Sequence, residues 1–469
     1  MRVLASLVAL TLLALGTSSQ AQAQAPIRVT PSSRAEVQSS FSPVVKQAAP
    51  AVVNVYGKRV ERRQNRYADE FFERFFGAPG QQGPRAQRSS VGSGVIVDPS
   101  GLVVTNNHVI EGMTEVRVAL ADRREIEAEI VLRDPRTDLA VLRLKGNNSP
   151  FPALAFGDSE ALEVGDLVLA IGNPFGVGQT VTQGIVSALA RTQVGISDYQ
   201  FFVQTDAAIN PGNSGGALVD TGARLVGINT AIFSQSGGSH GIGFAIPSSM
   251  VKLVVESARG GGRTVRRPWL GASLQAVNQE IADGMGLERP MGVLVTALND
   301  KGPAAEAGLK RGDVVLAIDG QGVDDPEGFG YRFALKGIGG ATDLTVMRGG
   351  KKQTLAVKLI SPPETRPRDV VRLRGRSPLA GATAVNASPA VADEMQLDLS
   401  IDGVIVTEVE ANSVASRVGF QKGDVLLAIN GERVSSSKDL ERITARGGMG
   451  SWEITINRGG RIFTSVLGG

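Results

Sequence analysis

Between residues 89 and 247 the hydrophobic positions fall into short runs separated by polar, turn-prone stretches. Runs at 91–97, 102–105, 116–120, 126–131, 139–144, 167–171, 181–189, 201–204, 225–229 and 243–246 predict strands, with turn signals at Asp98-Pro99-Ser100-Gly101 and Asp220-Thr221-Gly222. Upstream, 41–49 reads as a short helix interrupted by Pro50, and 51–56 as a further strand. Downstream, Ser248 is placed to cap a helix running to Arg259, which Gly260-Gly261-Gly262 ends. Many short strands at this spacing predict an all-β barrel or sandwich.

Residues 59–88 have a different texture. They begin with Arg59-Val60-Glu61-Arg62-Arg63, end with Gln81-Gln82-Gly83-Pro84-Arg85, and carry Phe71, Phe72, Phe75 and Phe76 between. Loops this long inside a domain are usually functional or disordered, and clustered exposed phenylalanines form a sticky patch. A docking loop is expected.

The C-terminal half repeats itself. Gly292-Val293-Leu294-Val295-Thr296 recurs as Gly403-Val404-Ile405-Val406-Thr407, an offset of 111. At the same offset Gly312-Asp313-Val314-Val315-Leu316-Ala317-Ile318-Asp319-Gly320 recurs as Gly423-Asp424-Val425-Leu426-Leu427-Ala428-Ile429-Asn430-Gly431, and Arg348-Gly349-Gly350 recurs one residue short as Arg458-Gly459-Gly460. A unit of this length is a tandem domain rather than a solenoid turn. The copies are assigned to 264–361 and 377–469, with 362–376 as linker.

At the N-terminus, Arg2 precedes an apolar run at 4–15, too short to span a bilayer, and Ala21-Gln22-Ala23 fits a cleavage site. Residues 1–23 are expected to be a signal peptide and 24–40 a disordered segment. The mature chain is then exported, with no transmembrane segment.

Composition narrows the chemistry. At 469 residues the chain predicts two to four domains. Lys+Arg number 49 and Asp+Glu 46, a net charge of +3, which argues against a nucleic-acid partner held by phosphate neutralisation. The absence of cysteine excludes disulfides, thiolate nucleophiles and cysteine metal sites. With two histidines, His108 and His240, no metal site is expected.

Three segments carry a nucleophilic chemistry. Asn210-Pro211-Gly212-Asn213-Ser214-Gly215-Gly216 sets a serine on a glycine-rich turn, where the N–H groups of Gly212 and Ser214, with Asn213 between, suit an oxyanion hole. Thr105-Asn106-Asn107-His108-Val109 supplies a base near neutral pH just past a strand. Thr137-Asp138-Leu139 puts a carboxylate at the mouth of an apolar strand, positioned to orient an imidazole; Asp134, in a turn before Pro135, is its rival and is expected in solvent. His240, in a Ser/Gly loop, reads as a surface residue. The order His, Asp, Ser is that of chymotrypsin-like β-barrels.

These motifs, together with Gly172-Asn173-Pro174-Phe175-Gly176, Gln204-Thr205-Asp206-Ala207-Ala208-Ile209-Asn210 and Gly243-Phe244-Ala245-Ile246-Pro247, resemble those of the HtrA/Deg serine endoproteases. With two repeats following, the chain resembles the two-PDZ periplasmic, Do or DegP-like members. The resemblance implies a mainly β architecture: a chymotrypsin-like double β-barrel protease domain over 41–259, then two PDZ domains. It implies Ser214 as nucleophile, His108 as base, Asp138 as orienter, and no cofactor. It puts the S1 pocket near Ile209 and in the loop beginning Ile228, Asn229 and Thr230, favouring small aliphatic P1 side chains. It makes 190–200 a regulatory sensor loop, with Arg191 at its start, and the Phe71–Phe76 cluster a loop reaching into a neighbouring active site. PDZ domains capture chain ends by strand addition and bind the carboxylate on backbone N–H groups. The matching loop is Trp269-Leu270-Gly271-Ala272 in the first copy and Leu379-Ala380-Gly381-Ala382 in the second, where Ala380 replaces the expected large apolar residue.

The function implied is ATP-independent endoproteolysis of unfolded or damaged exported proteins in the periplasm. It would be regulated by their C-terminal peptides, in a trimer-based homo-oligomer. The alternative is mainly a holdase or PDZ adaptor with low proteolytic activity, suggested by the aromatic loop and the two peptide-binding repeats.

Overall fold

Val116 and Val118 point inward from a strand whose Glu115 and Arg117 face solvent, the period-two alternation of a half-buried strand, and Met113 is buried beyond a register shift at the strand's start. The structure, a computed structural model, describes residues 40–59, 91–146, 150–174, 178–192, 199, 201–210, 212–232, 240–395, 397, 403–446 and 450–468. Residues 1–41 and 42–469 are separate units, and the description concerns the second. The segment expected to be a signal peptide and Phe71, Phe72, Phe75 and Phe76 lie outside the described residues.

After helix α1 (Ser42–Ala48), six strands close a first barrel: β1 (Val52–Arg59), β2 (Val91–Asp98), β3 (Leu102–Asn106), β4 (Met113–Ala119), β5 (Glu125–Asp134) and β6 (Leu139–Leu144). A short helix, α2 (Asn107–Ile110), follows β3. A second barrel contains β7 (Leu167–Gly172), β8 (Thr180–Arg191), β9 (Phe202–Thr205), β10 (Ala217–Asp220), β11 (Leu225–Ile232) and β12 (Gly243–Pro247). The orders β1-β2-β3-β6-β5-β4 and β7-β8-β9-β12-β11-β10 are the same topology used twice. The double-barrel expectation is met. Strand β10 is the addition: four residues directly after the glycine turn carry too little pattern to be read as a strand.

Helix α3 (Ser248–Arg259) buries Met250, Val251, Val254, Val255 and Ala258, a single face of its 3.6-residue period, and touches β5 and β6 of one barrel and β11 and β12 of the other. Ser248 is its first residue and not its cap; the Ser248 hydroxyl donates to the Gly157 carbonyl at 2.9 Å.

The first repeat forms a sheet from β13 (Ala272–Ala276), β14 (Val293–Leu298), β15 (Val314–Ile318), β16 (Gln321–Gly322), β17 (Ala341–Arg348) and β18 (Lys351–Lys358). Helices α4 (Gln279–Met285), α5 (Pro303–Glu306) and α6 (Pro326–Leu335) complete it. The second repeat opens with β19 (Val371–Arg372) and continues through β20 (Ala382–Asn386), β21 (Val404–Val409), β22 (Val425–Ile429), β23 (Glu432–Arg433), β24 (Ser451–Arg458) and β25 (Arg461–Gly468). Its helices are α7 (Pro389–Met395), α8 (Val414–Arg417) and α9 (Ser437–Ala445).

The repeated motif has a physical reason. Asp313 is buried and receives a two-pronged guanidinium from Arg348 at 2.7 and 2.6 Å, while Arg348 Nη2 also reaches the Gly308 carbonyl at 2.7 Å. Asp424, Arg458 and Gly419 reproduce that clamp at 2.5, 2.6 and 2.9 Å. Among the described residues no helix is long and apolar enough to cross a membrane.

Candidate active site

The site lies where the barrels meet. His108 and Asp138 come from the first, Ser214 and Thr230 from the second, and all four are buried. His108 sits in α2, immediately after β3 turns out of the barrel. Asp138, just before β6, has φ +56°, a left-handed conformation that Asp tolerates better than most residues. Three bonds hold it there. Its N–H donates to the Pro135 carbonyl at 3.2 Å, and its carbonyl accepts the Asn107 N–H and Asn106 Nδ2, each at 3.0 Å.

The Asp138 carboxylate is thereby aimed at the imidazole. Oδ1 accepts the His108 backbone N–H at 3.0 Å, and Oδ2 lies 2.7 Å from His108 Nδ1. A carboxylate at Nδ1 fixes the proton on that nitrogen and leaves Nε2 as the basic one. Oδ2 also accepts the Thr230 hydroxyl at 2.8 Å. The Ser214 hydroxyl donates to the Thr230 carbonyl at 3.1 Å, so Thr230 joins serine to carboxylate across the barrel junction.

The serine turn is stapled on every side. Gly212 and Gly215 have φ +97° and +84°. A Cβ on Gly215 would strike the Ser93 carbonyl and the Thr105 hydroxyl. The Ser214 carbonyl accepts the Ser93 N–H at 2.8 Å, and the Gly215 N–H donates to the Asn229 carbonyl at 2.8 Å. The N–H of Asn213, the residue between Gly212 and Ser214, donates to the Asn210 carbonyl at 2.9 Å.

Other residues named from the sequence have varied places. Asp134 corrects its expectation. It is 4% exposed, accepts Nη1 and Nη2 of Arg267, and accepts the Thr137 hydroxyl. Its turn brings it inward, and an ionised carboxylate there requires a buried cation. Ile209 is fully buried in the second barrel's core, with Ile228 also buried; the Asn229 amide donates to the Ala217 carbonyl at 3.0 Å. His240 is exposed. Arg191 ends β8, opposite Phe202, with its side chain outside the described residues. Trp269, Leu270, Leu379, Ala380 and Ala382 are buried; Gly271 and Gly381 both have positive φ.

A second set of residues had no sequence signal, because its members are far apart in the chain. Tyr199 lies under two guanidinium groups, those of Arg267 at 4.6 Å and Arg136 at 5.0 Å from its ring centroid. Burial pushes its phenol pKa up, against the lowering effect of those cations. Arg136 reaches Asp393 on α7 of the second repeat at 3.2 Å. Two residues along, Phe201 stacks on Tyr331 of α6, and the Thr192 hydroxyl donates at 2.8 Å to Asp325, the residue that caps α6. Both repeats are thus tied to the segment between β8 and β9 or to the turn that carries Asp138.

Residues 92–228 match the model of the trypsin-like peptidase domain, and 268–359 and 405–456 match PDZ domain models. A probable periplasmic serine endoprotease DegP-like from Chlamydia pneumoniae is 39% identical over 461 residues, covering 94% of this chain and 92% of the relative. The protein of the same description from Halomonas elongata is 40% identical over 438 residues, covering 89% and 90%. Among solved structures, the HtrA-type protease AlgW with a decapeptide is 46% identical, with TM-score 0.52, covering 69% of this chain and 99% of that one. AlgW with a tripeptide is 43% identical, with TM-score 0.53, covering 70% and 99%.

Proposed function

The chain belongs to the HtrA family of DegP-like periplasmic serine endoproteases, and on that premise we propose that Ser214, His108 and Asp138 are its catalytic residues. The carrying observation is the 2.7 Å bond between His108 Nδ1 and Asp138 Oδ2, with Thr230 linking that carboxylate to Ser214. Rotation of the Ser214 hydroxyl from Thr230 toward His108 Nε2 prepares attack on a peptide carbonyl. Nε2 takes the proton as the Ser214 Oγ–carbon bond forms, and the N–H groups of Gly212 and Ser214 face the developing oxyanion. His108 then returns the proton to the leaving amine. Water, deprotonated by the same nitrogen, releases the acyl group from Ser214.

The substrates proposed are unfolded or damaged exported proteins, cleaved without ATP. Peptide ends captured by the first PDZ domain regulate cleavage. Two features support this. The outer edge of β13 is paired with no strand among the described residues, and α6, beside that strand, stacks Tyr331 on Phe201 next to the candidate sensor segment. The assembly proposed is a trimer-based homo-oligomer. Chaperone activity is an added property that Ser214→Ala would retain.

The test is cleavage of an unfolded, fluorescently labelled protein, with and without a peptide ending in an apolar residue. Cleavage after small aliphatic residues, accelerated by the peptide and absent in Ser214→Ala, is expected. Unchanged cleavage by Ser214→Ala contradicts the assignment.

A further inference from the structure

In the second PDZ domain, unlike the first, the edge strand next to its loop at Leu379–Ala382 is already paired. Val371 and Arg372 of β19 lie antiparallel to β20, opposite Ala384 and Thr383. The Leu373 N–H donates to the Ala382 carbonyl, and the Gly381 N–H donates to the Leu373 carbonyl, each at 2.9 Å. Strand addition with the final carbonyl received by a loop N–H is how such a domain captures a chain end.

The side chains fit as a ligand's would. Leu373 is 2% exposed and joins a core with Leu440 and Ile443 of α9; Val371 packs against the same core, and Arg372 between them points to solvent. Alternate residues thus fill the space between β20 and α9. In the first domain Leu270 belongs to the core; its counterpart in the second is Ala380, and there Leu373 joins the core. The preceding residues are secured too. The Arg368 carbonyl accepts the Asn386 N–H at 2.9 Å, the Pro367 carbonyl accepts Asn386 Nδ2 at 2.8 Å, and Arg366 donates to the Ser435 carbonyl at 3.1 Å. Arg368 also pairs with Glu394.

We infer that residues 371–373 are the resident ligand of the second PDZ domain. They close its groove to foreign chain ends, so peptide ends act on this protein through the first domain alone. A competitor must be a free chain end with apolar residues at its last and third-last positions. It must also outcompete a segment tethered at an effective concentration on the order of millimolar.

The probe is the octapeptide Arg-Pro-Arg-Asp-Val-Val-Arg-Leu with a free carboxylate, which copies residues 366–373. Amide exchange is followed by mass spectrometry on the full mature chain carrying Ser214→Ala. In that parent, 371–373 should exchange as slowly as β20, and the octapeptide should add no protection at 382–386. In Val371→Ser/Leu373→Ser, it should protect 382–386 at concentrations at least about tenfold below any that act on the parent. Should Leu373 prove indispensable to the domain core, Val371→Pro, which removes one strand N–H and keeps Leu373, takes its place. Rapid exchange at 371–373 in the parent overturns the inference. So does equal peptide uptake by parent and variant, or a folded variant that takes up none. No turnover is read, so this outcome and that of the protease assignment are separate.

Discussion

Phe201 and Tyr331 stack face to face, with ring centroids 4.0 Å apart and planes within 9° of parallel, joining the residue between the candidate sensor segment and β9 to helix α6 of the first PDZ domain. The Tyr331 hydroxyl bonds Glu160 at 2.7 Å and Ser249 at 2.6 Å on the protease side. Removing the ring removes both connections. Tyr331→Ala is expected to abolish peptide acceleration of cleavage and to cost about 3–5 kcal/mol. Tyr331→Phe keeps the stack and is expected to keep most of the acceleration, at about 1–3 kcal/mol. Peptide-stimulated turnover and thermal unfolding of the two variants check this.

Thr230 ties Asp138 to the serine turn. Thr230→Val keeps the shape and removes the 2.8 Å bond to Asp138 Oδ2. A charge-assisted hydrogen bond of this kind contributes about 1.5–3 kcal/mol, so kcat should fall roughly ten- to hundredfold. KM should change little, because Thr230 is fully buried and acts on the carboxylate. Steady-state kinetics with a short peptide substrate separate the two constants. Thr230→Ser should recover most of the loss.

Arg458 neutralises Asp424, which has no solvent exposure. Arg458→Ala leaves that charge buried without its partner, at an expected cost of about 3–5 kcal/mol to the second PDZ domain. Restoring the packing with Arg458→Met and Asp424→Leu together should recover much of it. A double-mutant cycle on thermal unfolding measures the coupling.

Asp319 in the first PDZ domain is held below the usual carboxylate pKa, chiefly by its hydrogen bond to Lys336, with help from the Asp343 N–H. A depressed folded-state pKa adds stability above the unfolded pKa, and that stability is lost as pH falls through the folded value. Asp319→Asn should therefore lower the domain's unfolding temperature at pH 7, with the difference from the parent vanishing in acid. Asn tolerates the φ of +46° at this position, so the backbone is kept. Thermal unfolding across a pH series tests the convergence.

A strand-rich first domain and the tandem repeats were legible in the chain because each rests on local pattern, whereas the double barrel was expected from the family resemblance. Alternation over 116–120 and the apolar run Leu139–Leu144 mark strands without knowledge of their neighbours. The repeated Gly-Asp and Arg-Gly pairs mark a clamp used twice. His108 and Asp138 were also readable, since each flanks a strand of clear period. What was not readable depends on pairs distant in sequence. Asp134 looks like a solvated turn residue until Arg267, 133 positions away, is found against it. Thr230 was expected only as part of the S1 pocket loop, and its bond to Asp138 emerges once the second barrel carries it there. The stretch at 362–376 has the Pro and Arg content of a linker; only the register of Val371 against Ala384 shows part of it built into a sheet.

The assignment of Ser214 as nucleophile is tested most directly by stoichiometric labelling of the mature protein by a fluorophosphonate, with the modified residue located by mass spectrometry. A peptide for the first PDZ domain is present throughout. One label per chain on Ser214, loss of that label in His108→Ala, and loss of proteolysis in proportion to labelling are expected. A fully labelled chain that still cleaves, or a label on any other residue, would contradict it.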